Sequence, residues 1–422
     1  EAKNLLSELQ NHDEKMFLVT ILFMNMNQTP QGERVHIAFF GKTNVGKSSL
    51  INKIVNQEIS IVSKIRGTTT DPVQKAMEIH GIGAALIIDT AGFDDDSELG
   101  EKRMEKTSHI LNKTDIAVII TTPDDIISNF SKELTWIKKI KEKNIPYLIV
   151  INKIDLSKDM DSLKKRAIEL TSKEVILVSV KENIGIEDLI TSLEIICKFK
   201  DEDSICSHLV KKDDVVLLVM PQDTQAPKGR LILPQVQTIR DLLDNKCTVI
   251  CTTDERFEKS LNILKNSPNL IITDSQVFAK IYPLKPKESK LTSFSVLFSR
   301  YKGDVDEFVR GAAFIDLLKD NDKVLIAEAC THNPQDGDIA RVKLPMLLRK
   351  KTGKNLNIDV VSGNNFPGKL EDYSLIIHCG ACMFNKKYVL NRIDSAKSSK
   401  IPITNYGIAI AYITGILDKI EK

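Results

Sequence analysis

The segment that most narrows what this chain can fold into is Gly41-Lys42-Thr43-Asn44-Val45-Gly46-Lys47-Ser48. It matches the G-x-x-x-x-G-K-[S/T] phosphate loop in full and has the flanks such a loop needs. Residues 35–40 (VHIAFF) read as a buried strand leading in, and residues 49–55 as a helix leading out. Glycines let the backbone curl until its N–H groups point at a β-phosphate, and the helix N-terminus adds positive potential there. Asn44, Val45, Gly46, Lys47, Ser48 and Ser49 are therefore the expected phosphate site. Lys47 would reach the β- and γ-phosphates, and the Ser48 hydroxyl would bind Mg²⁺.

Three later motifs turn a phosphate site into a guanine-nucleotide site. An apolar strand at 86–89 ends in Asp89-Thr90-Ala91-Gly92. Asp89 can hold the Mg²⁺ shell through water, and the Gly92 N–H can contact the γ-phosphate. The strand at 147–151 ends in Asn152-Lys153-Ile154-Asp155, which resembles the guanine-specificity motif of GTPases. Its aspartate accepts hydrogen bonds from guanine N1 and N2; adenine lacks those donors and would leave a buried carboxylate unpaired. A strand at 175–178 leads into Ser179-Val180-Lys181, similar to the last base-contacting motif but with valine where alanine is usual.

Arg66-Gly67-Thr68-Thr69-Thr70-Asp71 resembles the first switch of the TrmE–Era–EngA branch, where Gly-Thr-Thr-Arg-Asp is usual. The resemblance implies that Thr69 binds Mg²⁺ and closes over the γ-phosphate, and that Asn44 coordinates an activating K⁺. Thr70 replaces the arginine, so no arginine role transfers. Lys47, Thr69, Asp89 and Gly92 make up the expected catalytic set. Phe93 stands where Ras-like proteins carry a water-orienting glutamine. An apolar ring cannot orient water, so intrinsic hydrolysis should be slow and K⁺-stimulated; the plain alternative is a packed switch residue.

The chain has 422 residues, room for two or three domains of roughly 150 residues each. Its 59 Lys+Arg against 57 Asp+Glu leave a net charge of +2, without the basic excess of a dedicated nucleic-acid binder. Residues 16–24 (MFLVTILFM) are apolar but far shorter than the roughly 20 residues that span a bilayer. They read as an accessory helix or strand, and no membrane association is expected. Seven cysteines are too sparse for a secreted disulfide scaffold, which favours a cytoplasmic protein.

The expected architecture is α/β in three domains, after an N-terminal extension at 1–32. A GTP-binding domain covers 33–199, and the charged stretch 200–204 (KDEDS) is a linker. A second domain at 205–285 alternates strands (215–220, 247–252, 270–273) with helices (235–243, 255–265), implying a small parallel α/β unit. It has no catalytic constellation and reads as a spacer or dimerisation module. Cys247 and Cys251 fall at even spacing on one strand, as buried inert thiols of one face. Cys206 and His208 read as surface linker. A second linker at 283–292 precedes a third domain at 290–422, with strands near 323–329, 357–361, 373–377 and 403–404 and helices near 339–351 and 387–396.

Cys330-Thr331-His332 ends one strand of that third domain, and His378-Cys379-Gly380-Ala381-Cys382 ends another. Ligands of open parallel sheets gather outside the carboxyl ends of strands, so the two groups can converge. Three thiols and two imidazoles admit zinc, an iron–sulfur cluster or a redox Cys-x-x-Cys pair. A cluster on three cysteines leaves one iron with a replaceable ligand.

A TrmE–Era-like GTPase joined to a C-terminal Cys-x-His…His-Cys-x-x-Cys pattern resembles the HydF family of (FeFe)-hydrogenase maturation GTPases, from about Val35 onward. The resemblance implies a 4Fe–4S cluster on Cys330, Cys379 and Cys382, with His332 and His378 nearby or as exchangeable ligands. It also implies a homodimer or tetramer that receives a transient di-iron precursor from two radical-SAM maturases and delivers it to the apo-hydrogenase. The main alternative is a TrmE/Era-type GTPase of RNA modification or ribosome assembly with a C-terminal zinc site. That reading needs a Gly-x-x-Gly RNA clamp or a folate-like domain, and the sequence has neither.

Overall fold

The computed structural model describes residues 29–56, 61–65, 73–94, 107–198, 204–221, 231–328, 339–363, 365–381 and 383–422. The chain divides into two compact units, one of residues up to 108 with 115–197, the other of 109–114 with 198–422.

The first unit is built on a seven-stranded sheet in the order β2-β3-β4-β1-β5-β6-β7. Its strands are β1 (Val35–Phe40), β2 (Ile61–Ile65), β3 (Val73–Ile79), β4 (Gly83–Asp89), β5 (Ile116–Thr121), β6 (Tyr147–Ile151) and β7 (Val175–Leu177). β2–β3 and β3–β4 pair antiparallel; every other pair is parallel. β5 is buried at all six positions and β1 at five, as expected for central strands covered on both faces. Leu50, Ile51 and Ile54 of the helix Lys47–Asn56, with Leu189 and Leu193 of the helix Ile186–Lys198, close one face over Phe39 and Ile87. Because β1 lies between β4 and β5, the carboxyl ends that carry the motifs are adjacent.

The second unit holds two all-parallel four-stranded sheets, β11-β10-β8-β9 and β13-β12-β14-β15. The first comprises β8 (Val215–Val219), β9 (Thr248–Thr252), β10 (Leu270–Thr273) and β11 (Lys290–Ser293). The second comprises β12 (Lys323–Glu328), β13 (Asn357–Ser362), β14 (Leu375–His378) and β15 (Ile403–Asn405). Leu217 and Ile271 of one sheet share a hydrophobic cluster with Leu325 and Ile376 of the other, joined by Phe308 and Ile408.

The expected linker at 283–292 and the expected third-domain start at 290 both meet β11, which pairs in register with β10 from Leu270↔Lys290 to Thr273↔Ser293. Four residues reading KLTS are too short and polar to announce a buried strand. Their hydroxyls are nonetheless satisfied: Thr292 Oγ1 donates to Glu421 O (2.8 Å), and Ser293 shares a hydrogen bond with Ser275 (3.0 Å). Two cysteines of this region, Cys206 and Cys251, also depart from expectation, while Cys247 meets it. Cys206 is buried in the core, its N–H bonded to Asp241 Oδ2 (2.8 Å), whereas Cys251 is exposed because β9 is an edge strand; Cys247, just before β9, is buried.

Candidate functional site

The phosphate loop closes at Gly46, whose φ of 94° lies in the left-handed region; a Cβ there would also strike Asn152 Nδ2. Asn44 takes φ 64°, which a short polar side chain tolerates. Lys47 Nζ folds back to donate to Gly41 O (2.9 Å) and Lys42 O (2.7 Å). Burial lowers its pKa, with Asp89 and Asp94 pulling the other way.

Ser48 Oγ donates to Asp89 Oδ2 (2.6 Å), while Asp89 Oδ1 is buried and, among the described residues, without a hydrogen-bond partner. Burial raises the Asp89 pKa, opposed by the Ser48 bond and by Lys47 and Lys75. An unfilled carboxylate oxygen beside a hydroxyl is a donor set suited to a hard cation such as Mg²⁺.

The base-side motifs prop the loop from behind. Asn152, 2% exposed, donates from Nδ2 to Val45 O (2.9 Å), and its Oδ1 accepts from Val180 N (3.4 Å). Lys153, at φ 60°, donates to Asn44 O (2.7 Å). Asp155 is oriented by Ser179 Oγ, which donates to Oδ1 (2.7 Å), with Lys181 Nζ 4.0 Å from Oδ2. The Ser179 bond chiefly holds the Asp155 carboxyl below the usual carboxylate range.

The second switch packs against the loop. A Cβ on Gly92 would strike Thr43 Oγ1. Asp94 Oδ1 accepts from Thr43 N (2.6 Å) and Thr43 Oγ1 (2.8 Å). Phe93 is buried, stacked on Trp136 (centroids 5.7 Å apart), which in turn stacks on Phe40 (5.5 Å). Lys42 Nζ lies 2.8 Å from Asp125 Oδ1 and 3.1 Å from Oε1 of the fully buried Glu133. Asp94, Trp136 and the Lys42 ion pairs escaped the sequence reading. Lys42 and Thr43 occupy unspecified positions of the loop pattern, and only the uniqueness of Trp136 was a signal. Thr69, with Thr70 and the rest of the first-switch motif, lies outside the described residues.

In the second unit, β12 and β14 are adjacent and parallel, with Ala327 opposite His378 and Cys379 N donating to Ala327 O (2.9 Å). The two cysteine motifs therefore follow neighbouring strand ends. Cys330, His332 and Cys382 lie outside the described residues. Cys379 Sγ accepts from Ala381 N (3.4 Å), the kind of backbone donor that suits a thiolate, and Ala381 turns the chain at φ 48°.

His378 is buried. Its Nδ1 is 2.6 Å from Cys379 O and its Nε2 2.8 Å from Arg392 Nη1. Burial, then the Arg392 charge, lowers its pKa to about 3. Arg392 is 4% exposed and also donates to Gly363 O (2.6 Å) and Tyr388 Oη (2.8 Å), while its Nε has no partner among the described residues. Nothing in the sequence singled out Arg392. Among the described residues, no group of three or more His, Cys, Asp or Glu is placed to hold a metal ion, and no helix is long and apolar enough to cross a membrane.

Comparison with known families places each region. Residues 36–153 match the family model for a 50S ribosome-binding GTPase, 205–303 the hydrogen maturase F dimerization domain, and 306–422 the hydrogen maturase F tetramerization domain. Among curated relatives, the tRNA modification GTPase MnmE of Desulforamulus reducens is 35% identical over 202 residues, 47% of this chain and 42% of the relative. GTPase Der of Campylobacter jejuni (strain RM1221) is 34% identical over 174 residues, 40% of this chain and 35% of the relative. The chain thus spans less than half the length of these relatives. Among solved structures, a probable GTP-binding protein engB (23% identity, TM-score 0.33) covers 39% of this chain and 99% of its own. Aquifex aeolicus Era bound to GDP and AlF4⁻ (18% identity, TM-score 0.33) covers 52% and 92%.

Proposed function

The chain belongs to the hydrogen maturase F (HydF) family of GTPases, and we propose that it is a GTP-controlled scaffold that carries and delivers the di-iron precursor of (FeFe)-hydrogenase. The observation that carries this reading is the joining, in one chain, of a guanine-nucleotide site to adjacent parallel strand ends that lead into Cys330 and Cys379. Asp155 selects guanine, Asn152 and Lys153 brace the loop, and Ser179, Val180 and Lys181 complete the base side. Lys47 and the backbone of Asn44 to Ser49 hold the phosphates. Ser48, Thr69 and Asp89 bind Mg²⁺, Gly92 contacts the γ-phosphate, and Asn44 offers a K⁺ ligand.

In the second unit Cys330, Cys379 and Cys382 are the proposed thiolate ligands. The Ala381 N–H bonded to Cys379 Sγ and the buried Arg392 Nε, without a partner among the described residues, fit an anionic group at the carboxyl end of β14. Those thiolates would hold a 4Fe–4S cluster, which would supply an iron with a replaceable ligand for attachment of the di-iron cargo. The dimerization and tetramerization regions support self-association; radical-SAM maturases and the apo-hydrogenase are the proposed cytoplasmic partners. Ordering of the switches by the γ-phosphate would change contacts with those partners.

The test is activation of purified apo-hydrogenase by cargo-loaded protein with GTP, with GDP, and in a Lys47→Ala variant. Hydrogenase activity should appear with the loaded protein and change with the nucleotide. No activation under any condition would refute delivery, and identical partner affinity with GTP and GDP would refute nucleotide control.

A further inference from the structure

Among the described residues, Arg392 is a buried cation without an anionic partner. Its guanidinium is covered by the rings of Tyr388 (4.6 Å to the centroid) and Phe366 (4.7 Å), and no carboxylate among the described residues pairs with it. Cation–π contacts and hydrogen bonds offset part of the cost of burying such a charge, but an anion nearby offsets far more.

A guanidinium can only donate hydrogen bonds. At 2.8 Å from Arg392 Nη1, His378 Nε2 must therefore be the acceptor, with its lone pair committed. A carbonyl can only accept, so at 2.6 Å from Cys379 O the Nδ1 must carry the proton. The ring is neutral, in the Nδ1–H tautomer, with both nitrogens engaged. Bringing Nε2 to a metal would strip Arg392 of a second partner beside its already orphaned Nε. Bringing Nδ1 would break its bond to the Cys379 carbonyl. A metal-ligating imidazole has the opposite design, one nitrogen on the metal and the other on an acceptor.

We propose that His378 is not an iron ligand but a positioning residue: it ties Arg392 to the backbone of Cys379, and Arg392 supplies the buried positive charge that balances an anionic iron–sulfur cluster on that loop. The inference rests on the cluster reading above. It assigns Arg392 a place in the site and makes the exchangeable position independent of His378.

Two measurements on the full chain test it separately from that reading. Before loading, long-range ¹⁵N–¹H correlation of the His378 ring should show a protonated Nδ1 and an unprotonated Nε2, with the Nε2 shift changed in Arg392→Gln. A protonated Nε2 overturns the proposal whether or not any cluster forms. After anaerobic loading with iron and sulfide, pulsed EPR with ¹⁵N-histidine should give the same imidazole coupling in wild type and His378→Gln. The midpoint potential should shift downward in Arg392→Gln and less in Arg392→Lys at equal iron content. An imidazole coupling lost in His378→Gln but kept in His332→Gln overturns the proposal, as does an Arg392→Gln potential equal to wild type. If wild type takes up no cluster, the cluster reading and the charge-balancing role of Arg392 both fall, and the ring tautomer still decides the His378–Arg392 pairing.

Discussion

Replacing Asn152 by alanine removes the clamp between the phosphate loop and the base-side motif. The loss strands Val45 O, whose partner is Asn152 Nδ2 at 2.9 Å, and releases Val180 N, held more loosely at 3.4 Å. Each buried polar group left unpaired costs about 1–3 kcal/mol, and the longer bond counts for less, so the total is about 2–3 kcal/mol. For a unit of this size that is a fall in melting temperature of roughly 5–10 °C. Trp136 is the only tryptophan of the chain and is buried in this unit, so its fluorescence follows the unfolding of the unit that holds the clamp. Nucleotide affinity should fall at least tenfold, because the Val45 carbonyl of the loop is no longer pinned. Asn152→Asp keeps the acceptor for Val180 N but sets a carboxylate against Val45 O, so it should be no milder than alanine. A variant that melts within about 2 °C of wild type and binds GDP as tightly would refute the clamp.

Three further outcomes follow from the same site. Asp155→Asn should weaken GDP on the order of a hundredfold while gaining xanthosine diphosphate, read by calorimetric titration, since the amide presents a donor where guanine needs an acceptor; unchanged preference would remove Asp155 from the base site. GTP hydrolysis should be faster in K⁺ than in Na⁺, and Asn44→Ala should erase the difference; equal rates in wild type would end the K⁺ proposal. Asp94 is partly buried, which raises its pKa, but the Thr43 N–H and hydroxyl outweigh this and hold it below its ordinary value. A depressed folded-state pKa stabilises above the unfolded value near ~4 and the benefit is lost as pH falls through the folded one. The melting gap between wild type and Asp94→Asn, followed at Trp136, should therefore be full at neutral pH and close on acidification; a gap that widens in acid would contradict the contact.

Much of this was legible because the motifs and strands coincide. β1 begins and ends where the VHIAFF run does, and β6 matches the apolar stretch before Asn152. Long apolar runs bounded by glycine or asparagine leave a central parallel strand little alternative. What escaped depends on partners distant in sequence. β11 is a strand because β10 and Glu421 satisfy its polar groups, not because KLTS prefers to be one. Cys206 looked like linker and is core, because Asp241, 35 positions away, binds its backbone. His378 reads as a neighbour of the cluster or an exchangeable ligand, from its place beside Cys379. Only the fold brings Arg392, from the helix Lys386–Ser398, onto its Nε2. Periodicity reports which face is buried; it does not report which polar group waits there.

The most direct test of the central claim is anaerobic reconstitution of the full chain with iron and sulfide, followed by EPR of the reduced protein. The account predicts a 4Fe–4S signal that survives Cys247→Ala and is lost in Cys330→Ala, Cys379→Ala and Cys382→Ala. Binding of zinc alone, at one ion per chain and with no iron–sulfur signal, would contradict it.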